Sequence, residues 1–293
     1  MNFKNRLKAA YKIFMNPSLM KQKTIVQVKE VEPKVVLENK LLAGKNVLIT
    51  GAGQNIGKSI ALEMAKQGAN IYFTDLVEEK CLKLEQELAQ YQITSKWFIS
   101  DISKTEDIDN LHNYFIENKI KLDILINNVG IQFNKIGIKN FELEEANQTF
   151  QTNILKPMYL TKLISEMMIA NKIQGNIIFI TSIHQFILRR LLSYSASKAA
   201  LGMLIEELAI DLAPHSIRVN GIAPGGVNKD IKGNPIYHKY TPLHQSTISP
   251  EYIGRAAVYL ASDYFSRFTT GTVMKIDAGL SLRNYIVEIH PPK

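Results

Sequence analysis

The chain has 293 residues, enough for one large α/β domain or two small ones, and its 46% apolar content is ordinary for a globular protein. One cysteine, Cys81, excludes an intrachain disulfide and a cysteine-built metal site and suggests a reducing, cytoplasmic setting; no stretch reaches the ~20 apolar residues of a membrane helix. The net charge is +8, yet residues 1–45 hold ten Lys/Arg against three Glu, a net of +7, so the rest is nearly neutral and does not read as a nucleic-acid binder.

Residues 1–40 form a basic extension. Phe3, Leu7, Ala10, Tyr11 and Phe14 fall on one helical stripe beside Lys4, Lys8 and Lys12, and Pro17 should end that helix. Such a helix could give residues 1–15 a weak contact with an anionic membrane surface. Packing within an oligomer, or a partly ordered tail, is the favoured reading. Either way, the extension is expected to be dispensable for catalysis.

From Gly44 a regular alternation begins. Apolar runs at Val47–Thr50, Ile71–Thr74, Trp97–Ser100, Ile124–Asn127, Ile177–Thr181, Arg218–Ile222 and Thr272–Ile276 read as strands. Helical periodicity fills the gaps, as in Ile56–Gln67, Glu144–Ala170 and Tyr194–Ala213. The pattern predicts a doubly wound parallel α/β sheet of about seven strands, with helices on both faces, over residues 41–285 and a short tail at 286–293. Gly225–Pro250 lacks periodicity and reads as a lid or binding loop in which His238 and His244 could meet substrate.

The first strand runs into Thr50-Gly51-Ala52-Gly53-Gln54-Asn55-Ile56-Gly57, and a helix follows. A glycine-rich turn in that place lets backbone N–H groups approach a pyrophosphate. Asp75 ends the second strand, where a carboxylate can accept from ribose hydroxyls and repel a 2′-phosphate. That favours NAD and disfavours NADP.

Tyr194 and Lys198 stand at i and i+4, on one helix face. A nearby ammonium lowers a phenol pKa, so this tyrosine is expected to exchange a proton with a substrate oxygen. Ser182 ends the strand Ile177–Ile180, twelve residues before Tyr194. His184 follows it closely. Arg189-Arg190 could grip a carboxylate or phosphate, but a solvated loop pair is favoured. No His/Asp/Glu spacing suggests a metal site.

Together these residues resemble the short-chain dehydrogenase/reductase family in its compact single-domain form, from about Leu42 to Leu282. Thr50–Gly57 is similar to the family's phosphate turn, with Asn55 in place of a glycine and tolerant of positive φ. Asp101 resembles the acid near adenine, Asn127-Asn128-Val129-Gly130 the Asn-Asn-Ala-Gly motif, and Asp277-Ala278-Gly279 the C-terminal Asp-Gly-Gly.

The resemblance implies a catalytic set of Asn153, Ser182, Tyr194 and Lys198. It implies cofactor contacts at Gly51, Gly53, Asn55, Ile56, Gly57, Asp75, Leu76, Asp101, Ile102, Asn128, Gly130, Tyr194, Lys198, Pro224, Gly225 and Val227. Asn153 is expected to hold a water beside Lys198. Lys229 replaces a threonine that often holds the nicotinamide amide. Thr181-Ser182-Ile183-His184 weakly resembles sugar dehydrogenases. The implied activity is NAD-dependent interconversion of a small alcohol and its carbonyl, by a homo-oligomer, most readily a tetramer. A 3-oxoacyl thioester reductase is the enzymatic alternative; a non-catalytic NAD-binding scaffold is the alternative of another kind.

Overall fold

Each central strand forms where an apolar run can be buried on both sides. In the computed structural model, which describes residues 40–228, 236, 238 and 240–283, the strands are β1 (Asn46–Ile49), β2 (Asn70–Asp75), β3 (Ser95–Ile99), β4 (Ile124–Asn127), β5 (Asn176–Ile180), β6 (Arg218–Pro224) and β7 (Val273–Ile276). The stripe from Phe3 to Phe14, most of the basic extension, the tail 286–293 and Lys229 lie outside the described residues. All pairings are parallel, in the order β3-β2-β1-β4-β5-β6-β7. β5 and β6 are buried along their whole length, whereas β3 and β7 at the edges are partly exposed.

Alternate strand residues feed two cores, because neighbouring side chains point to opposite faces. Val47, Ile49, Ile71, Phe73, Ile126 and Ile178 pack with α1 (Asn55–Lys66), α2 (Glu78–Leu88) and α7 (Pro250–Ala261). Leu48, Tyr72, Leu125, Ile177, Phe179 and Val219 pack with α3 (Thr105–Glu117), α5 (Lys156–Ala170) and α6 (Leu192–Leu212). α4 (Leu143–Phe150) precedes α5, and the short α8 (Asp263–Ser266) follows α7. The chain moves outward from β1 to β3 and then returns to β4, so the order reverses between β1 and β4. A crevice opens at the carboxyl ends of strands at such a reversal.

The long helix expected over Glu144–Ala170 is interrupted. Between α4 and α5 lies a π-helical segment, Gln151–Leu155, where Lys156 N–H reaches back five residues to the Gln151 carbonyl. The sequence marks the place: Pro157 has no N–H to give to the carbonyl four residues before it, that of Asn153. A wider turn at that point is the known accommodation.

Arg218 opens β6 and is almost fully buried. Its guanidinium donates to the carbonyls of Leu260 (2.7 Å) and Ala261 (3.4 Å), to Ser266 Oγ (3.2 Å) and to Asp263 Oδ1 (3.2 Å). It therefore closes the C-terminus of α7 with a cation where the helix dipole favours one. Arg218→Met should remove the buried cation from the helix end, although Leu260 keeps the bonds from Asn176 and Ser266, and lower unfolding stability by about 2–4 kcal/mol in urea titration. A loss under about 0.5 kcal/mol would show that the cap is incidental.

Candidate active site

The crevice between β1 and β4 holds the glycine-rich turn. Gly51 has φ +65° and Asn55 φ +47°, so asparagine does adopt the left-handed conformation that the substituted position needs. Gly57 begins the close approach of α1: a Cβ there would lie 2.3 Å from the Gly51 carbonyl oxygen. Ile56 is the neighbouring residue of the same helical turn.

Side chains from two neighbouring strands stitch this turn in place. Asn128 Nδ2 donates to the carbonyls of Thr50 and Gly51, both at 2.9 Å, while Thr50 Oγ1 accepts from Asn128 N–H and Val129 N–H. From β2, Thr74 Oγ1 accepts from Gly51 N–H, and Asp75 Oδ2 accepts from Gly53 N–H at 2.8 Å. Asp75 Oδ1 accepts from Val77 N–H. Leu76 beside it is 63% exposed.

Asp101 follows β3, next to the end of β2, and its Oδ1 accepts from the backbone N–H and hydroxyl of Ser103. Ile102 is buried in the core. Pro224 ends β6, Gly225 N–H donates to the Ile276 carbonyl, and Val227 bridges to Ile248. Asp277 closes the turn after β7 by accepting from Gly279 and Ser281 N–H. Burial would raise its pKa, but the bonds from Ser281 and Gly279 win and hold the carboxyl below its ordinary range.

This cradle fits a dinucleotide. Gly51, Gly53 and Gly57 sit where an added Cβ would strike a neighbour, and the carboxylate at the end of β2 stands beside the turn.

The remaining site residues come from three elements. Ser182 sits at the end of β5, Asn153 in the π segment, and Tyr194 and Lys198 on successive turns of α6. Asn153 Oδ1 accepts from Ile131 N–H at 2.8 Å, while its Nδ2 donates to the Ile131 carbonyl and to Ser197 Oγ, both at 3.0 Å. Ser197 Oγ in turn donates to the Tyr194 carbonyl. Gly130 makes room for this grouping, since a Cβ there would lie 3.1 Å from Lys198 Nζ and 3.4 Å from Asn153 Oδ1.

Lys198 is only 3% exposed and donates to the Ile180 carbonyl at 3.0 Å. Burial pushes its pKa down to about 8. Its Nζ lies 5.7 Å from the centre of the Tyr194 ring. Burial also pushes the Tyr194 phenol up, and a hydrogen bond from Ser182 offsets part of that rise. The resting site therefore differs from the expectation that the ammonium lowers the phenol pKa. Desolvation of the phenol outweighs the opposing effect of Ser182, and the Lys198 ammonium is directed at a backbone carbonyl.

His184 N–H donates to Ser182 Oγ at 3.2 Å, and its ring meets Tyr194 edge-on at 5.1 Å. Burial, helped by Arg189 and Lys198, lowers the imidazole pKa and keeps it neutral near pH 7. His238 hydrogen-bonds Thr241 within the loop after β6.

A family model described as short chain dehydrogenase matches residues 45–236, about two thirds of the chain. The chain belongs to the short-chain dehydrogenase family. Among its relatives, glucose 1-dehydrogenase of Gluconobacter oxydans (strain 621H) is 32% identical over 254 residues, covering 82% of this chain and 93% of that protein. The 5-keto-D-gluconate 5-reductase of Escherichia coli (strain K12) is 31% identical, covering 82% and 96%. A solved short-chain type dehydrogenase/reductase from Mycobacterium marinum superposes with a TM-score of 0.76 at 27% identity, covering 83% and 97%. A 7 alpha-hydroxysteroid dehydrogenase complexed with NADH and 7-oxo glycochenodeoxycholic acid has a TM-score of 0.74 at 28% identity, covering 82% and 96%. The family's seven-strand parallel sheet is the sheet found here.

Proposed function

We propose that this dehydrogenase transfers a hydride between NAD(H) and an alcohol or carbonyl substrate, with Tyr194 as general acid/base. The observation that carries the reading is the placement of Tyr194 and Lys198 on successive turns of α6, with the buried Lys198 Nζ 5.7 Å from the centre of the Tyr194 ring. Ser182, at the end of β5, is the neighbouring hydroxyl that lowers the Tyr194 pKa against burial, and the two hydroxyls could both donate to one substrate oxygen. The relatives' names, among them a glucose dehydrogenase, a ketogluconate reductase and a hydroxysteroid dehydrogenase, share a CH–OH group or its ketone.

The nicotinamide, when bound, supplies or accepts the hydride. This chain's residues do the rest. In reduction, Ser182 orients the carbonyl and Tyr194 gives its proton to the oxygen. A phenol raised by burial carries that proton at neutral pH. The Lys198 charge favours the phenolate left behind. Asn153 holds Ile131 and Ser197 in place around Lys198, and is proposed to hold a water there. The turn at Gly51–Gly57 would hold the pyrophosphate, and Asn128, Gly130 and Pro224–Val227 would border the cofactor.

A 3-oxoacyl thioester reductase would use the same proton relay, but Asp75 argues against the NADPH such enzymes usually prefer. A scaffold needs no such relay. Residues 1–40 contain none of these groups and are proposed to be dispensable for turnover. We assign the enzyme a homo-oligomeric, cytoplasmic existence: α4 to α6 leave Leu143, Leu155, Met158, Met203 and Ile210 exposed, and no helix among the described residues is long and apolar enough to cross a membrane.

Tyr194→Phe should reduce kcat by at least about a hundredfold, the scale of a lost general acid, while the Kd for NADH stays within about twofold. Substantial turnover by this variant would remove Tyr194 from the mechanism. A 2′-phosphate beside the Asp75 carboxylate meets like charge. kcat/KM for NADH should therefore exceed that for NADPH by at least about tenfold, and Asp75→Ala should narrow the ratio. A wild-type preference for NADPH would contradict this assignment.

A further inference from the structure

Two loops meet beside Tyr194. Residues 131–142 link β4 to α4, and residues 183–191 link β5 to α6. Their contact is Gly137 against Arg190. Gly137 N–H donates to the Arg190 carbonyl at 2.9 Å. A Cβ on Gly137 would lie 2.9 Å from Arg190 Nη2, so the guanidinium lies against bare glycine backbone. Gly137 has φ +80° and Arg190 φ +58°, the latter a left-handed conformation that few non-glycine residues adopt. Gly137, against which the guanidinium lies, is one wall of a small recess whose other walls include Phe133, Glu142, Glu145 and Tyr194.

The other charges here leave that guanidinium unclaimed. Lys135 pairs with both Glu142 and Glu145, the latter at 3.0 Å. Among the described residues, neither Arg189 nor Arg190 makes an ion pair, and both are exposed. Arg189 acts electrostatically on His184, whose ring touches Tyr194.

We propose that the substrate of the Tyr194 site carries a carboxylate, held by the guanidinium of Arg190 with Arg189 in support. The inference rests on the oxidoreductase reading above and narrows its substrate class. A planar guanidinium matches a carboxylate with two parallel N–H donors. A merely solvated loop arginine, the favoured reading from sequence, needs neither a glycine beneath its head group nor a left-handed backbone.

The test is a titration of the NADH-loaded enzyme with matched acid and neutral ketones: levulinate against its methyl ester, and a keto-aldonate against the corresponding keto-sugar. Nicotinamide fluorescence reads binding, and NADH consumption reads turnover. The acids should bind about tenfold to a hundredfold more tightly than their neutral partners. Arg190→Met should remove that advantage while leaving neutral ketones and NADH within about twofold, with the effect in KM rather than kcat. Arg190→Lys should restore only part of it, because an ammonium lacks the paired donors. Equal binding of acid and neutral ketone by the wild type, or equal weakening of both by Arg190→Met, overturns the proposal. Turnover of neutral ketones without acid preference would sink the carboxylate alone. Arg190-dependent acid binding without any turnover would sink the oxidoreductase reading and keep the carboxylate site.

Discussion

A lysine ammonium buried against a backbone carbonyl is the constraint around which the site is arranged. Lys198 is almost without solvent and donates to the carbonyl of Ile180 at the end of β5. An ammonium removed from water is costly, and its pKa falls to about 8, low for a lysine but still leaving it mostly charged at neutral pH. The surrounding residues accept that cost. Gly130 supplies space, Asn153 fixes the adjacent backbone at Ile131, and Ser197 ties Asn153 to the Tyr194 carbonyl. In the proposed mechanism, what is gained is a charge that acts on Tyr194 once its proton leaves. In the resting site burial raises the phenol pKa and the phenol keeps its proton; in the proposed reduction the ammonium would oppose that burial penalty.

The sheet makes this arrangement possible by delivering all parts to one end. β1, β2, β4, β5 and β6 all run the same way, so the glycine-rich turn, Asp75, Asn128, Ser182 and Pro224 emerge together at their carboxyl ends. The central strands are buried on both faces, which keeps these ends in fixed register. Asn128 is the clearest link between the fold and the turn: one amide bonds two successive carbonyls of the turn that follows β1.

Much of this was legible in the chain because it depends on local rules. All seven strands lie where β-rich apolar runs occur, with edges shifted by one or two residues where fraying and side-chain burial compete. Asn55 could be read as a left-handed residue because asparagine tolerates that conformation. Features that depend on tertiary neighbours were not legible in advance. Pro157 marks the place where α4 and α5 part, but the π turn depends on the packing of both helices. The sign of the Tyr194 shift depends on burial, which an i, i+4 spacing does not report. Arg218 reads as one basic residue at a strand start, and only the fold brings the end of α7 to it. Arg190 reads as a solvated loop charge until Gly137, more than fifty residues earlier, lies beneath it.

The pH dependence of kcat/KM for NADH-driven ketone reduction tests the central claim most directly, because it reports the groups of the free enzyme that must hold protons. Lys198, with its pKa lowered to about 8, supplies its charge below that pH and loses it above. The rate constant should therefore be level at neutral pH and fall as pH rises through about 8. A profile that stays level to about pH 10, the ordinary range of a solvated lysine or tyrosine, would contradict a buried, weakened ammonium at the centre of the site.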